Sequence, residues 1–138
     1  MVIDTPCVGV CSSVYGDLIC RGCKRTAMEV IEWNRYDSEK KVIIYQRLHM
    51  QISQIFDRYI DILDEQLIHE KIIKLNIRLH SSATPTEKAF HLLRLGASKI
   101  KHLPHYGMQV KPEFLNVPLV NLFNQIDAQV YELASTSL

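Results

Sequence analysis

Four cysteines near the start of the chain have the spacing of a metal site. Cys7 and Cys11 form a C-x3-C pair, Cys20 and Cys23 form a C-x2-C pair, and the 138 residues contain no other cysteine. Two short pairs of thiolates can surround a tetrahedral zinc ion or bind an iron–sulfur cluster, and the spacing does not decide between them. We therefore predict one metal centre bound by four cysteines, either zinc or an iron–sulfur cluster.

The start of the chain favours metal over disulfide bonds. No apolar run is completed before Pro6 and Cys7, and no stretch reaches the roughly 18 apolar residues of a membrane span. We expect a cytoplasmic, bacterial protein without membrane association. Thiols stay reduced in that compartment, so clustered cysteines are more often metal ligands there than disulfides.

A basic rim borders the second cysteine pair. Arg21, Lys24 and Arg25 lie beside Cys20 and Cys23 in the sequence. Their charges would offset the negative charge that four thiolates place around a metal. An alternative is that this rim also contacts a nucleic-acid phosphate or an acidic partner protein.

The same stretch resembles a known family. The sequence from Pro6 to Cys11, the Cys-Arg-Gly-Cys core at Cys20–Cys23, Glu29 and Trp33 are similar to the small bacterial YdhL-like family. That family is described as predicted iron–sulfur proteins of unknown function, and the similarity covers residues 5–50. The resemblance implies that the four cysteines are the metal ligands and says little about the remainder of the chain.

The hydrophobic patterns predict an α+β fold that is mainly helical, with a cysteine module over residues 1–37 and an extension over 38–138 packed as one core. Thr26 and Glu29 form a capping box that starts a short helix. We expect the apolar residues of that helix to pack on the metal loop. They are Met28, Val30, Ile31 and Trp33.

A long helix with Ser38 as its cap is predicted, because neither glycine nor proline occurs between Lys24 and Thr84. Apolar residues recur along it every three or four positions. They are Tyr45, Leu48, Ile52, Ile55, Tyr59 and Ile62. We expect this stripe to pack on the core of the domain, and the alternative is a dimer formed through the long helix.

The remaining elements are predicted from shorter signals. Apolar and polar residues alternate from Ile73 to His80, which indicates a strand. Thr84, Pro85 and Glu87 start a helix, and residues 107–111 have the pattern of a second strand. These elements form a strand-helix-strand unit, followed by a last helix that begins after Pro118.

Residues 71–111 form a strongly basic segment, with eight lysines and arginines against the single acidic residue Glu87. The candidate residues for binding an anion or a nucleic acid are Lys74, Arg78, His80, Lys99, Lys101, His102 and His105. Together with Tyr106 they offer the cationic and stacking groups that RNA and single strands require. The alternative is a solvated basic face whose charge complements acidic residues such as Asp57, Asp61 and Asp64.

Two further kinds of chemistry are disfavoured. His102 and His105 are three residues apart, but Pro104 lies between them and no carboxylate is adjacent, so we expect surface histidines and not metal ligands. The metal site uses all four thiols, which leaves no cysteine nucleophile. We predict a non-catalytic binding or adaptor protein for a nucleic acid or a protein complex, with an iron–sulfur redox or electron-transfer protein as the alternative.

Overall fold

The fold was analysed in a computed structural model that describes residues 5–7 and 17–136. These residues form helices α1 (Ala27–Glu32), α2 (Ser38–Phe56), α3 (Glu65–Lys74), α4 (Pro85–Gly96) and α5 (Leu119–Thr136), and strands β1 (Ile60–Ile62) and β2 (Met108–Val110). The strands pair antiparallel, with Asp61 opposite Gln109. The prediction of a mainly helical α+β fold is confirmed.

Two helices begin at the predicted capping boxes. The backbone N–H of Glu29 donates to Thr26 Oγ1 over 3.1 Å, and the backbone N–H of Thr26 donates to Glu29 Oε1 over 2.9 Å. Thr84 and Glu87 make the same reciprocal pair at the start of α4, with Pro85 as the first helical residue. Each pair satisfies amide groups that have no partner inside the helix, which explains why both starts were visible in the sequence.

Helix α2 is shorter than predicted. The cap is Asp37, whose Oδ1 accepts from the backbone N–H of Lys40 over 2.8 Å, and not Ser38. The helix ends at Phe56, so the predicted extension through Tyr59 and Ile62 was wrong. Tyr59 instead lies next to the sheet, where its carbonyl accepts a hydrogen bond from the backbone N–H of Lys111 over 2.9 Å.

The predicted strand from Ile73 to His80 was also wrong. Ile73 and Lys74 belong to α3, whose C-cap is Leu75, and Asn76 takes a left-handed conformation with φ of 52°. The backbone N–H of Ile77 then donates to the carbonyl of Ile72, so the chain turns back after the helix. The alternation of apolar residues arose from a helix end followed by an irregular segment.

Strand β2 lies within the predicted range 107–111, but its partner is β1, which the sequence analysis had placed in the long helix. The two connecting helices are α3 and α4, and the predicted strand-helix-strand unit is therefore a strand, two helices and a strand. Gly107 precedes β2 with φ of 83°, and its carbonyl accepts from the backbone N–H groups of Leu63 and Asp64. Only glycine takes this conformation without strain.

The main core lies between α2, α3, α4 and α5. Its most deeply buried side chains include Phe56, Ile68, Phe90, Leu122 and Ile126. Ile52 and Ile55 of the predicted stripe belong to it, whereas Tyr45 and Leu48 form a smaller cluster with Trp33 and Ile44. This smaller cluster joins the segment after α1 to the first half of α2.

No helix formed by the described residues is both long enough and apolar enough to cross a membrane.

Candidate functional site

The second cysteine pair lies in a tight turn. The backbone N–H of Lys24 donates to the carbonyl of Cys20, and the backbone N–H of Cys20 donates to the carbonyl of Arg25, both over 2.8 Å. Ile19 and Thr26 close the base of the turn as an antiparallel bridge. The turn requires a left-handed conformation at Lys24, with φ of 67°, which is uncommon for a residue with a side chain.

Both thiols of this turn are withdrawn from solvent, with Cys20 at 1% and Cys23 at 6% exposure. The hydrogen bond with the Cys20 side chain and then burial raise the pKa of Cys23, and the nearby Arg25 guanidinium opposes this rise. Without a bound metal, Cys23 is therefore a protonated thiol. A metal ion that binds here must displace that proton.

Arg25 is the side chain that contacts sulfur directly. Its Nε donates to Cys23 Sγ over 3.2 Å, and its guanidinium lies 5.1 Å from the centre of the Trp33 ring. The residue is only 3% exposed, yet no carboxylate among the described residues lies within ion-pair distance of it. A buried cation normally has an anionic partner, and Cys23 is the group placed to supply it.

Lys24 connects the turn to the C-terminal helix. Its side chain is buried, its Nζ donates to the carbonyl of Arg21, and it lies 2.8 Å from Asp127 Oδ1 as an ion pair without hydrogen-bond alignment. Asp127 belongs to α5. Arg21 is exposed and contacts α5 as well, with its guanidinium 4.5 Å from the centre of the Tyr131 ring. Of the predicted basic rim, Arg25 faces the sulfur and Lys24 faces α5.

The structure brings together two of the four predicted ligands. Within residues 5–7 and 17–136, no three His, Cys, Asp or Glu side chains are grouped closely enough to hold a metal ion, so Cys7 does not complete a site with Cys20 and Cys23. Cys11 lies outside the described residues. The donor chemistry at Cys20 and Cys23 nevertheless fits a thiolate-bound metal, because buried Arg25 presents a positive charge to the sulfur.

The apolar residues of the α1 segment pack only in part as predicted. Trp33 is buried with its ring against Arg25 of the cysteine turn, whereas Met28 is 60% exposed and Ile31 is 76% exposed. Glu29 instead forms an ion pair with Arg47 of α2 over 2.5 Å. Burial alone would raise the pKa of the Glu29 carboxyl, but hydrogen bonds from Arg47 and from the Thr26 backbone outweigh it and hold the pKa below its usual value. The ion pair between Glu29 and Arg47 thus connects helix α1 to α2.

Part of the basic segment lies around one cleft. Lys71 Nζ lies 5.1 Å from the centre of the Tyr106 ring, and Lys99 and Tyr106 line the same cleft of about 240 Å³ with Leu75 and Ile77. The rings of exposed His102 and His105 are 4.2 Å apart. We give the name basic corner to this cleft together with the cations and histidines that flank its lining residues along the chain. They are Lys71, Lys74, Arg78, Lys99, Lys101, His102 and His105.

The cations of the basic corner are largely without acidic partners. In the described ranges, Lys74, Arg78, Lys99 and Lys101 are exposed and none lies within ion-pair distance of a carboxylate. Of the ion pairs expected with Asp57, Asp61 and Asp64, the described residues show one, in which Lys111 Nζ lies 2.8 Å from Asp61 Oδ1. That contact also raises the pKa of the Lys111 ammonium.

His80 does not belong to the basic corner. The residue is buried, its Nε2 lies 3.1 Å from Glu87 Oε2, and its ring packs 4.3 Å from the Tyr45 ring. No anion can reach it there. This polar cluster also includes His49, whose Nδ1 lies 2.9 Å from Thr84 Oγ1. Sequence analysis identified Thr84 and Glu87 as a cap but had no signal that would bring His49 to them from 35 residues away.

The similarity to known proteins is confined to the N-terminal third. Residues 5–51 match a protein family described as "Protein of unknown function (DUF1289)". No curated protein and no solved structure showed significant similarity to the chain. The matched region contains all four cysteines, α1 and most of α2, and the resemblance is thereby supported at the level of an uncharacterised family. The YdhL-like assignment and the iron–sulfur cluster stay predictions.

Proposed function

We propose that the chain is a non-catalytic binding protein whose N-terminal module is organised by one metal centre on Cys7, Cys11, Cys20 and Cys23. The observation that carries this proposal is Arg25. Its guanidinium is buried, and its polar partner among the described residues is a cysteine sulfur. A neutral thiol would leave this charge without compensation, whereas a metal-bound thiolate would neutralise it.

The metal would have a structural task. Four thiolates around zinc form a closed site that contributes to folding, and a short segment with few apolar residues needs such a contribution. Within this chain, Cys20 and Cys23 are already held side by side by the Ile19–Thr26 bridge, Arg25 supplies the neutralising charge, and Lys24 connects the turn to Asp127 of α5. Cys7 and Cys11 would supply the other two thiolates.

For the partner, we propose a single-stranded nucleic acid at the basic corner. Four exposed cations without acidic partners suit a chain of phosphates, and the Tyr106, His102 and His105 rings offer surfaces on which bases could stack. A protein complex with an acidic surface is the outcome to expect if nucleic acid does not bind. A cytoplasmic location accords with either partner.

The second candidate is an iron–sulfur redox or electron-transfer protein. The hydrogen bond from Arg25 to Cys23 Sγ favours this redox role, because hydrogen bonds to the sulfur ligands adjust the reduction potential of an iron–sulfur cluster. Elemental analysis and a visible spectrum of the untagged protein distinguish the two candidates. Stoichiometric zinc and a colourless protein are expected. A brown protein containing iron and sulfide would overturn zinc and favour the redox role.

The nucleic-acid proposal is tested by titrating a fluorescent single-stranded RNA at several salt concentrations. Replacing Lys74, Arg78, Lys99 and Lys101 by Ala should weaken binding and lower the slope of log K against log salt by about 0.7 for each phosphate that is no longer neutralised. The matched control replaces four cations elsewhere, Arg35, Lys40, Lys41 and Arg58, and should change the slope little. Equal effects of the two variants, or no binding at low salt, would refute the proposal.

A further inference from the structure

A second cleft, lined by neither the cysteines nor the residues of the basic corner, lies between α2 and the start of α4. It has a volume of about 240 Å³ and is lined mainly by apolar surface, with Val42 and Tyr45 among its walls. Polar groups are gathered at one side, where His49, Thr84 and Glu87 line it. An apolar cleft with a few convergent polar groups is the usual form of a small-molecule site.

Glu87 is the charged group of this cleft, and it is only 4% exposed. Its Oε1 accepts from the backbone N–H of Thr84 over 3.2 Å, and its Oε2 is 3.1 Å from His80 Nε2. Both oxygens therefore accept hydrogen bonds, which suits an ionised carboxylate. In the described part of the chain, neither a lysine nor an arginine lies within ion-pair distance of it.

His80 serves Glu87 as a hydrogen-bond donor and not as a full counter-charge. The tautomer with its hydrogen on Nε2 makes the contact to Glu87. Nδ1 is buried and has no hydrogen-bond partner among the described residues, so a hydrogen placed there would be a buried donor without an acceptor. The negative charge of Glu87 is thus left for another cation to balance.

His49 is also engaged with a hydroxyl group. The Thr84 hydroxyl accepts from the backbone N–H of Glu87 over 3.2 Å, and both Thr84 Oγ1 and Ser53 Oγ lie within hydrogen-bond distance of His49 Nδ1, at 2.9 and 3.2 Å. The same nitrogen lies 4.0 Å from Glu87 Oε1, at the limit of an ion pair. His49 therefore orients the polar side of the cleft and leaves the carboxylate of Glu87 as its dominant charge.

We propose that this cleft binds a small primary amine with an apolar tail. The ammonium group would lie against Glu87 and the Thr84 and His49 side chains, and the tail would lie against Val42 and the Tyr45 ring. An ammonium ion supplies both the missing positive charge and hydrogen-bond donors. The apolar walls favour a tail over a bare cation because burying it removes hydrocarbon surface from water.

The probe is benzylammonium chloride, titrated into the full chain and followed by two-dimensional NMR of the backbone amides. We expect saturable shifts at the amides around Tyr45, His49 and Thr84, with benzyl alcohol binding at least about tenfold more weakly because it lacks the charge. Shifts that do not saturate, shifts centred elsewhere, or equal binding of benzyl alcohol would overturn the proposal.

Glu87→Gln tests the carboxylate itself. Glutamine can still accept from the Thr84 backbone N–H, so the cap of α4 is kept while the charge is removed. Binding of benzylammonium should weaken about tenfold or more. The matched control is Glu29→Gln, which alters the other capping box and should leave binding unchanged. Equal affinity of Glu87→Gln and the wild type would refute the assignment. Should Glu87→Gln not fold, the comparison with benzyl alcohol decides the question.

Discussion

The helical core and the Cys20–Arg25 turn are stabilised by different kinds of interaction. The core around Phe56, Phe90 and Leu122 consists of apolar side chains in mutual contact and needs no ligand. The turn contains few apolar groups, two thiols, and the buried cations Lys24 and Arg25. Arg25 has a cysteine sulfur as its polar partner among the described residues, and under the proposed function a metal-bound thiolate would balance its charge. Loss of metal should therefore affect the turn far more than the core.

The largest effect is expected from Phe56→Ala. Phe56 is fully buried in the main core, so truncation should lower the free energy of unfolding by about 3–5 kcal/mol. Urea unfolding measures this, and the loss should be the same with and without a chelator. Leu63→Ala is the control, because Leu63 is 54% exposed and its truncation should change stability by less than about 0.5 kcal/mol. A loss that disappears in chelator would show that core and turn are not separate.

Acid should destabilise the core through His91. Burial, followed by the nearby positive charges of Arg94 and Lys24, lowers the pKa of this histidine to about 3. The unfolded chain takes up a proton below about pH 6.5 and the folded chain does not, so stability is complete above that pH and falls as pH decreases, by up to about 1.4 kcal/mol per pH unit.

Unfolding curves between about pH 7 and pH 4.5 test this dependence. His91→Gln should flatten it, because glutamine can accept from Arg94 Nε, which lies 3.2 Å from His91 Nδ1, without binding a proton. His102→Gln alters an exposed histidine and should leave the slope unchanged. An unaltered slope in His91→Gln would assign the acid sensitivity to other groups.

Gly107→Ala should destabilise the sheet end of the core by about 1–3 kcal/mol. A β-carbon there would lie 2.5 Å from the Asp64 carbonyl oxygen, and φ of 83° is strained for alanine. Gly96→Ala provides the contrast, since its β-carbon would meet only the Ile100 side chain at 3.3 Å and alanine favours the helix. Thermal unfolding measures both, and equal midpoints would contradict the assigned role of Gly107.

The smallest effect is expected at the ion pair between Lys24 and Asp127, which connects the Cys20–Arg25 turn to the helical core. Asp127→Asn removes the charge paired with buried Lys24 and should cost about 1 kcal/mol, since Asp127 is partly exposed. Hydrogen exchange should accelerate at the amides of Ile19–Thr26 and stay unchanged in α3. Asp61→Asn, which breaks the exposed pair with Lys111, is the control and should have little effect. Faster exchange throughout the core would mean that Lys24 stabilises the whole fold.

Local signals in the sequence predicted local structure well. The capping boxes at Thr26 and Thr84 and the position of β2 were readable because each depends on neighbouring residues. The end of α2, the whole of α3 and the pairing of β1 with β2 were missed, since no glycine or proline marks the turn after Phe56 and the sheet joins residues about fifty positions apart. The pairing of β1 with β2 therefore ended the helix at Phe56, although the apolar spacing up to Ile62 was consistent with a longer helix.

The candidate site was predicted in part for the same reason. Cysteine spacing is a local signal, and the proximity of Cys20 and Cys23 follows from it. The burial of Lys24 and Arg25 could not be predicted, because it depends on α5 and on Trp33. The contact of His49 with Thr84 could not be predicted either, because nothing in the sequence around His49 indicates which helix packs against it.

The most direct test of the metal centre is the native mass of the untagged protein purified without added metal and without oxygen. We predict a mass above that of the bare polypeptide by one zinc ion or one iron–sulfur cluster, less the protons displaced from the thiols, and lost on acidification. A folded protein at the bare polypeptide mass would contradict the account.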